Sequence, residues 1–437
     1  MPRISGHFNL KNMTDLKKEQ FADILETLSE NLSITETQHN AAVRSYNAVG
    51  NWLSKDDSLL KPFNPEIKPQ GSFIIGTTVQ PVNPEDDLDL DIVCELHGKK
   101  LHWTQEDVKN VVGEQLRSHM TYESLLDKEG RRCWTLKYRS DSDRNDKYHM
   151  DILPSVISQG YQILLEKSFS NLQKDDYESL KLSITDKESS NYSSETDPSR
   201  WYQSNPFGYA KWFMSRVQMY KGAVLKAFSL NEAVKPTPRY QENRLPLQRA
   251  VQLLKRHRDI MFTAESNEDI RKQKPISCII TTLAARAYQG EVNLSDAIFG
   301  VISRMESEIE WKEDHYGNRY EWISNPVNKA ENFADRWNDS GSVRRDNFYR
   351  WLRQIREDLD IARSQNGMHN IAESLKKSFG NKVVVDTFTQ IGDRSRTSTA
   401  DQSNYYSKKE GIIGTASAAS ALISKVPAHT FHGKSTD

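Results

Sequence analysis

The 437-residue chain is long enough for two domains, each with its own core, and its 59 basic and 60 acidic residues leave a formal charge of −1. That balance excludes a global electrostatic attraction to nucleic acid or to an anionic membrane, so any polyanion must be met locally. Three scattered cysteines, Cys94, Cys133 and Cys278, exclude a disulfide framework and a zinc site, and no stretch approaches the roughly 20 apolar residues of a membrane span. With no apolar run near the N-terminus to act as a signal peptide, the protein is expected to be soluble and cytoplasmic.

Residues around 19–31 and 34–55 have helical periodicity, and in the second segment Ala42, Tyr46, Val49 and Leu53 repeat on one face. The Pro- and Asn-rich KPFNPEIKPQ then leads into GSFIIGT. After it, DLDLDIVCEL alternates at period two before running apolar, the pattern of a strand with one polar face. A helix is predicted over 104–120, and RRCWTLKY (131–138) and KYHMDILPSV (147–156) read as two further strands joined through SDSDRND. From Asn205 onward the character is helical, with Asn205 as N-cap, Pro206 at the first helical position, and Tyr209, Phe213, Val217 and Tyr220 on one stripe. Further helices are predicted over 246–262, 275–289, 294–308 and 347–363. The segment from about Asp393 to Asn404 is polar and 411–421 is rich in Gly, Ala and Ser, so a mobile tail is expected. These readings describe an α+β protein with N-terminal helices (1–60), a small α/β core (61–200), a helical domain (201–390) and a tail (391–437).

The chemistry concentrates in the first half. In a strand, residues i and i+2 project to one side, so Asp89 and Asp91 present two carboxylates together while Leu88, Leu90 and Ile92 face a core. Like charges held so close call for a cation. Hard oxygen ligands of this kind, completed by triphosphate oxygens and water, suit a pair of Mg²⁺ ions that activate a hydroxyl and stabilise leaving pyrophosphate. Such a site needs a third carboxylate on a neighbouring strand, and Asp151, set among the apolar Met150, Ile152 and Leu153, fits. Upstream, Gly71 permits close backbone approach to phosphate, and the Ser72 hydroxyl can donate to its oxygens. A lone Asp-x-Asp is more often a solvated strand face, and Asp86 and Asp87 read as turn or supporting residues. The conjunction of Gly-Ser, Asp-x-Asp and a further Asp in an apolar strand favours the metal site.

With QGSFIIGT, DLDLDIV, HMDILPS and RRCWTLKY, the sequence resembles the nucleotidyltransferase superfamily of DNA polymerase beta. The blocks SNPFGYAKWF (204–213), PLQRAVQLLKRHRD (246–259), PISCIITTLAARAY (275–288), SNPVNKAENFADRW (324–337) and HTFHG (429–433) narrow the likeness. It resembles more particularly the bacterial relatives of cyclic GMP-AMP synthase and oligoadenylate synthase, the CD-NTases of anti-phage (CBASS) operons. The resemblance implies a polymerase-beta-like core with a mixed sheet, a C-terminal helical domain and an active-site cleft between them. It also implies an enzyme that joins nucleoside triphosphates, ATP foremost with GTP and others open, into a cyclic di- or trinucleotide messenger, without obligatory nucleic acid or membrane. A linear nucleotidyltransferase acting on an RNA, a protein or a small molecule, and a catalytically silent nucleotide-binding regulator, stay open.

Carried over by position, Asp89, Asp91 and Asp151 resemble the family's metal-binding carboxylates, Gly71 and Ser72 its phosphate signature, and Lys255 and Ser277 the lysine and serine set against the donor triphosphate. On its own Lys255 reads as a surface lysine, Ser277 as an N-cap after Pro275, and Asn205 with Pro206 as a helix start. Tyr209 and Phe213 are assigned to packing, the WISNPVNKAENFADRW block to a structural brace, and Trp201 and Tyr202 are kept as base-stacking candidates. The tail resembles those of relatives captured by an operon-encoded, ubiquitin-transfer-like partner, although here Lys434, Ser435, Thr436 and Asp437 follow Gly433.

Overall fold

The structure, a computed structural model, describes residues 15–82, 88–138, 148–157, 180–219, 237, 240, 244–401, 403–407, 412–415 and 423–426. Asp86, Asp87, the SDSDRND turn, Tyr220 and the terminal HTFHG lie outside the described residues. The chain packs as two compact units, one of Ser33–Gln248 with Ile309–Asp335, the other of Met1–Leu32, Arg249–Glu308 and Arg336–Asp437. Helix α1 (Asp15–Leu32) therefore belongs to the second unit and α2 (Glu36–Ser54) to the first, a division that does not follow the linear order read from the sequence.

The first unit is built on a mixed sheet. Its strands are β1 (Glu66–Pro69), β2 (Leu88–Leu96), β3 (Trp134–Tyr138), β4 (Tyr148–Val156), β5 (Leu182–Ile184) and β6 (Tyr202–Ser204), in the order β1-β2-β4-β5-β6 with β3 also on β4. Only β2 and β4 run parallel in this sheet; the other pairs are antiparallel. The short α3 (Gly71–Ile74) follows β1, while α4 (Gln105–Arg117), α5 (Met120–Leu125) and α6 (Pro206–Val217) complete the unit's helices among the described residues.

Because strand side chains alternate, the sheet has two characters. Leu88, Leu90, Ile92, Cys94 and Leu96 of β2, with Met150, Ile152 and Val156 of β4 and Trp134 and Leu136 of β3, share one buried cluster with Ala42, Tyr46, Val49 and Leu53 of α2 and Val108, Val112 and Leu116 of α4. Both helices start at capping boxes: Thr35 with Gln38, and Thr104 with Asp107. The Tyr46 hydroxyl donates to Ile67 O at 2.8 Å and the Trp52 indole to Gln115 O at 2.7 Å, which ties α2 to the sheet and to α4.

In the second unit Phe21, Ile24, Leu25 and Leu28 of α1 are buried, and Asn31 donates to Thr387 while Arg394 donates to Thr27 at 2.6 Å on α13 (Asn381–Ala400). With them are α7 (Pro246–Thr263, in this unit from Arg249), α8 (Glu268–Lys272), α9 (Ser277–Ala287), α10 (Leu294–Arg304), α11 (Arg344–Ser364) and α12 (Met368–Phe379).

Two sequence expectations change, while the helix predicted over 104–120 is found as α4, with the short α5 following it. The supposedly helical 201–390 contains two hairpins, β7 (Glu310–Glu313) with β8 (Arg319–Trp322) and β9 (Ser324–Asn325) with β10 (Asn328–Asn332), the first turned by Asp314 and by Gly317 at φ +80°. Residues 391–400 are not a mobile tail but the end of α13, and β11 (Asn404–Ser407), β12 (Ile412–Thr415) and β13 (Ile423–Lys425) form a small antiparallel sheet beyond it. Asn404 anchors that sheet by donating to Ser395 O at 2.8 Å.

The contact of α4 with β3 gives a stability test. A β-carbon added at Gly113 would lie 2.5 Å from Trp134 Cζ2, in a core where that indole is 2% exposed and donates to Lys109 O. Gly113→Ala is expected to destabilise the protein by about 1–3 kcal/mol through overpacking, measured by urea unfolding.

Candidate active site

Register places the sequence-predicted carboxylates. In the parallel β2–β4 ladder Asp91 faces Asp151 and Asp89 faces His149, and across the antiparallel β3–β4 ladder Thr135 faces Asp151 and Lys137 faces His149. Cross-strand partners share a sheet face. The face opposite the main core therefore carries, row by row, Asp89, His149 and Lys137, then Asp91, Asp151 and Thr135, then Val93 and Leu153. The apolar row merges into a small cluster with Ile157, Leu182 and Ile184, against which Cys133 and Phe207 pack.

Each carboxylate is steadied by a neighbour. Asp151 Oδ1 accepts from the Thr135 hydroxyl at 2.6 Å, and Asp89 Oδ1 lies 2.7 Å from His149 Nε2, within hydrogen-bond range. Gly71, at φ +65°, backs onto Asp91: a β-carbon there would overlap Asp91 Oδ2. Gln70 N–H donates to Asp91 O at 2.9 Å, and Ser72 holds its loop through Thr77 N–H on Ser72 O at 3.0 Å and a 3.1 Å contact of its hydroxyl with that of Thr78. Gln248 and Arg244 brace the next residues by donating to Ile75 O and Gly76 O at 2.9 and 3.0 Å. Burial pushes the Cys133 thiol up to about 12, assisted by the charges of Asp151 and Asp91, so negative charge is concentrated on this face.

The carboxylates share a face, yet they do not form a closed trio. Among the described residues, the ligand atoms that lie mutually within 4.8 Å belong to Glu66, Glu95 and His97, farther along the same face. There the Lys68 ammonium already supplies the cation, at 2.9 Å from Glu66 and 2.7 Å from Glu95, and His97 Nε2 is 3.2 Å from Glu95. Contacts with Glu66 and then Glu95 raise the His97 pKa to about 9. Burial would raise Glu66, but His97 and Lys68 outweigh it and hold that carboxyl well below its usual range. That cluster neutralises itself. Asp89, Asp91 and Asp151 carry the stronger demand for a cation, with side chains drawn to separate partners on the face they share.

Lys255 and Ser277 lie in the helical unit. Lys255 is 7% exposed, and Arg256, His257 and Arg258 beside it are buried too, so the surface-lysine reading is wrong: α7 turns this charged run inward. Ser277 is not an N-cap either. Ile276 occupies that position, and the exposed Ser277 accepts from Arg258 Nη1 at 2.9 Å. Asn205 caps α6 as expected, accepting from Gly208 N–H at 2.8 Å, with Pro206 next. Phe213 is fully buried and Tyr209 partly so. Trp201 joins the main core at 3% exposure, which removes it as a stacking platform. Tyr202 keeps 39% exposure, although Arg132 stacks over its ring and its hydroxyl donates to Glu331. His149, Thr135 and Arg258 went unnoticed in the sequence; the alternation of KYHMDILPSV could have flagged His149, two residues before Asp151.

A mixed sheet with acidic residues on paired parallel strands beside a Gly-Ser loop is the arrangement that the resemblance to nucleotidyltransferases implies. Residues 65–154 match the family model described as "Cyclic GMP-AMP synthase DncV-like, nucleotidyltransferase domain". A c-di-GMP synthase of Roseivirga ehrenbergii is 28% identical over 425 residues, 96% of this chain and 99% of that protein. The cyclic dinucleotide synthase CdnG of Bradyrhizobium diazoefficiens is 24% identical, covering 96% and 97%. The structure of that CD-NTase CdnG in complex with GTP has the same fold, with TM-score 0.59 at 22% identity, over 85% of this chain and 99% of that one. The chain is thus a nucleotidyltransferase, similar over nearly its whole length to bacterial cyclic dinucleotide synthases. No helix among the described residues is long and apolar enough to cross a membrane.

Two predictions follow from the geometry. Gly71→Ala should lower the rate of pyrophosphate release on the order of 10²-fold by displacing Asp91, and the left-handed backbone at this position should also cost about 1–2 kcal/mol, read as a modest fall in melting temperature. Because the folded His97 pKa of about 9 lies above the ordinary 6.5, its stabilisation is fully present below about pH 6.5 and is lost as pH rises through 9. His97→Gln should therefore be less stable than wild type at about pH 6, and urea curves of the two should converge by about pH 10.

Proposed function

We propose that the protein is a cyclic oligonucleotide synthase that joins two or three nucleoside triphosphates into a ring with release of pyrophosphate. The observation that carries this reading is the facing of Asp91 and Asp151 across a parallel strand pair with Asp89 one pleat away. Three carboxylates on one face, with Gly71 leaving no room for a side chain against Asp91, fit divalent cations, and Asp89, Asp91 and Asp151 would hold two Mg²⁺. Bound there, Mg²⁺ would supply charge neutralisation for a triphosphate and an acidified hydroxyl. The chain's own groups bind and orient. Gly71 and Ser72 receive phosphate oxygens, and Lys255 and Ser277 contact the donor triphosphate. Thr135 holds the orientation of Asp151. A ribose hydroxyl of the acceptor gives up its proton to solvent and forms a bond to the donor α-phosphorus as the bond to pyrophosphate breaks; a second such transfer closes a dinucleotide ring, and a trinucleotide ring needs a third.

The names of the two curated relatives favour a cyclic dinucleotide, and the c-di-GMP synthase favours GTP as a substrate beside ATP. The proposal extends to a role in CBASS anti-phage signalling, in the cytoplasm and with an operon-encoded regulatory partner, as the sequence resemblance implies.

The test is incubation of the purified chain with the four nucleoside triphosphates and Mg²⁺, followed by phosphatase and mass spectrometry. A phosphatase-resistant cyclic product is expected; only phosphatase-sensitive linear products would move the assignment to a linear transferase. Asp89→Ala with Asp91→Ala should cut product by at least about 10²-fold while circular dichroism stays that of the wild type. Full synthesis by that variant would refute the assignment.

A further inference from the structure

We infer that His149 is a positioning residue for Asp89: its imidazole holds one carboxylate oxygen and leaves the other for a divalent cation on the face that also carries Asp91 and Asp151. The inference deepens the proposed function and rests on it. Asp89 is the most exposed of the three carboxylates, with 70% of its side chain in solvent, and a short exposed aspartate left alone would exchange rotamers freely. The parallel register puts His149 directly across from it, and the 2.7 Å contact from Nε2 to Oδ1 selects one orientation. Thr135 does the same for Asp151 from the opposite strand, and Gly71 forms the wall behind Asp91. Each ligand of the proposed site is thus oriented from outside it, the usual arrangement around metal-binding side chains.

The residue type matters as well as the place. A ring nitrogen on a short side chain reaches Asp89 Oδ1 here, where a lysine would bring a permanent ammonium charge to a site that must attract dications. The one lysine in this row, Lys137, stands a strand farther from Asp89, and its Nζ is 2.5 Å from Asp127 Oδ2, which offsets its charge. The row therefore reads acid, imidazole, neutralised lysine, and the negative charge stays at the end nearest Asp91.

The experiment is Mn²⁺ binding to the full chain without nucleotide, followed by electron paramagnetic resonance of the free ion, for wild type, His149→Ala, His149→Gln and Asp89→Ala, each checked by thermal melting. His149→Ala should weaken Mn²⁺ binding by about 10–100-fold, and His149→Gln, whose amide N–H reaches much as Nε2 does, should recover most of the loss. Wild-type affinity in His149→Ala, or equal weakness of the Ala and Gln variants with melting unchanged, would overturn the role of the imidazole. Unaltered Mn²⁺ binding by Asp89→Ala, or none by wild type, would instead remove the metal site, and this inference with it.

Discussion

The constraint on which the rest depends is the parallel register of β2 and β4. With Asp91 opposite Asp151, the polar members of both strands meet on one face, and Leu90, Ile92, Met150 and Ile152 meet on the other, in the core under α2 and α4. A slip of one residue would set Asp91 beside Met150 or Ile152 and push carboxylates toward the core, at a cost far larger than the ladder itself returns. Core packing and site assembly are the same event here. The hydrophobic effect chooses the register, and the register brings the acids together.

The functional face is also electrostatically graded. At one end Glu66, Lys68, Glu95 and His97 balance one another under an apolar belt of Val93, Leu153 and Ile184. At the other end the aspartates outnumber nearby cations, and their field adds to the burial that pushes the Cys133 thiol up to about 12. Two acidic clusters on one sheet thus have opposite uses. Where a lysine already sits between the carboxylates the cluster is neutralised, and the proposed cation site is instead the one where hydroxyl, imidazole and glycine surround them.

Much of this was legible beforehand, because period-two alternation in DLDLDIVCEL and KYHMDILPSV specifies which side chains share a face whatever the partner strand is. The caps at Thr35, Thr104 and Asn205 and the Gly-Ser loop before Asp-x-Asp are likewise local chemistry. The misreadings were non-local. Lys255 looks like a surface residue in VQLLKRHRD, since nothing in that string says that the fold buries it, and Trp201 looks like an exposed ring until it is seen in the core. The polar tail read as mobile because its helix is held by Arg394 and Asn31, side chains far apart in the chain.

The sequence by itself determined the fold class, the strands that bear Asp89, Asp91 and Asp151, and the side of each strand on which those residues stand, because backbone periodicity and side-chain hydrophobicity act over a few residues. Tertiary structure alone decided that β2 and β4 are parallel and in this register, that His149 and Thr135 hold Asp89 and Asp151, and that Lys68 satisfies Glu66 and Glu95. Those outcomes depend on which distant segments come within a few ångströms, and a hydrogen bond or ion pair is specified by distance and angle rather than by separation along the chain.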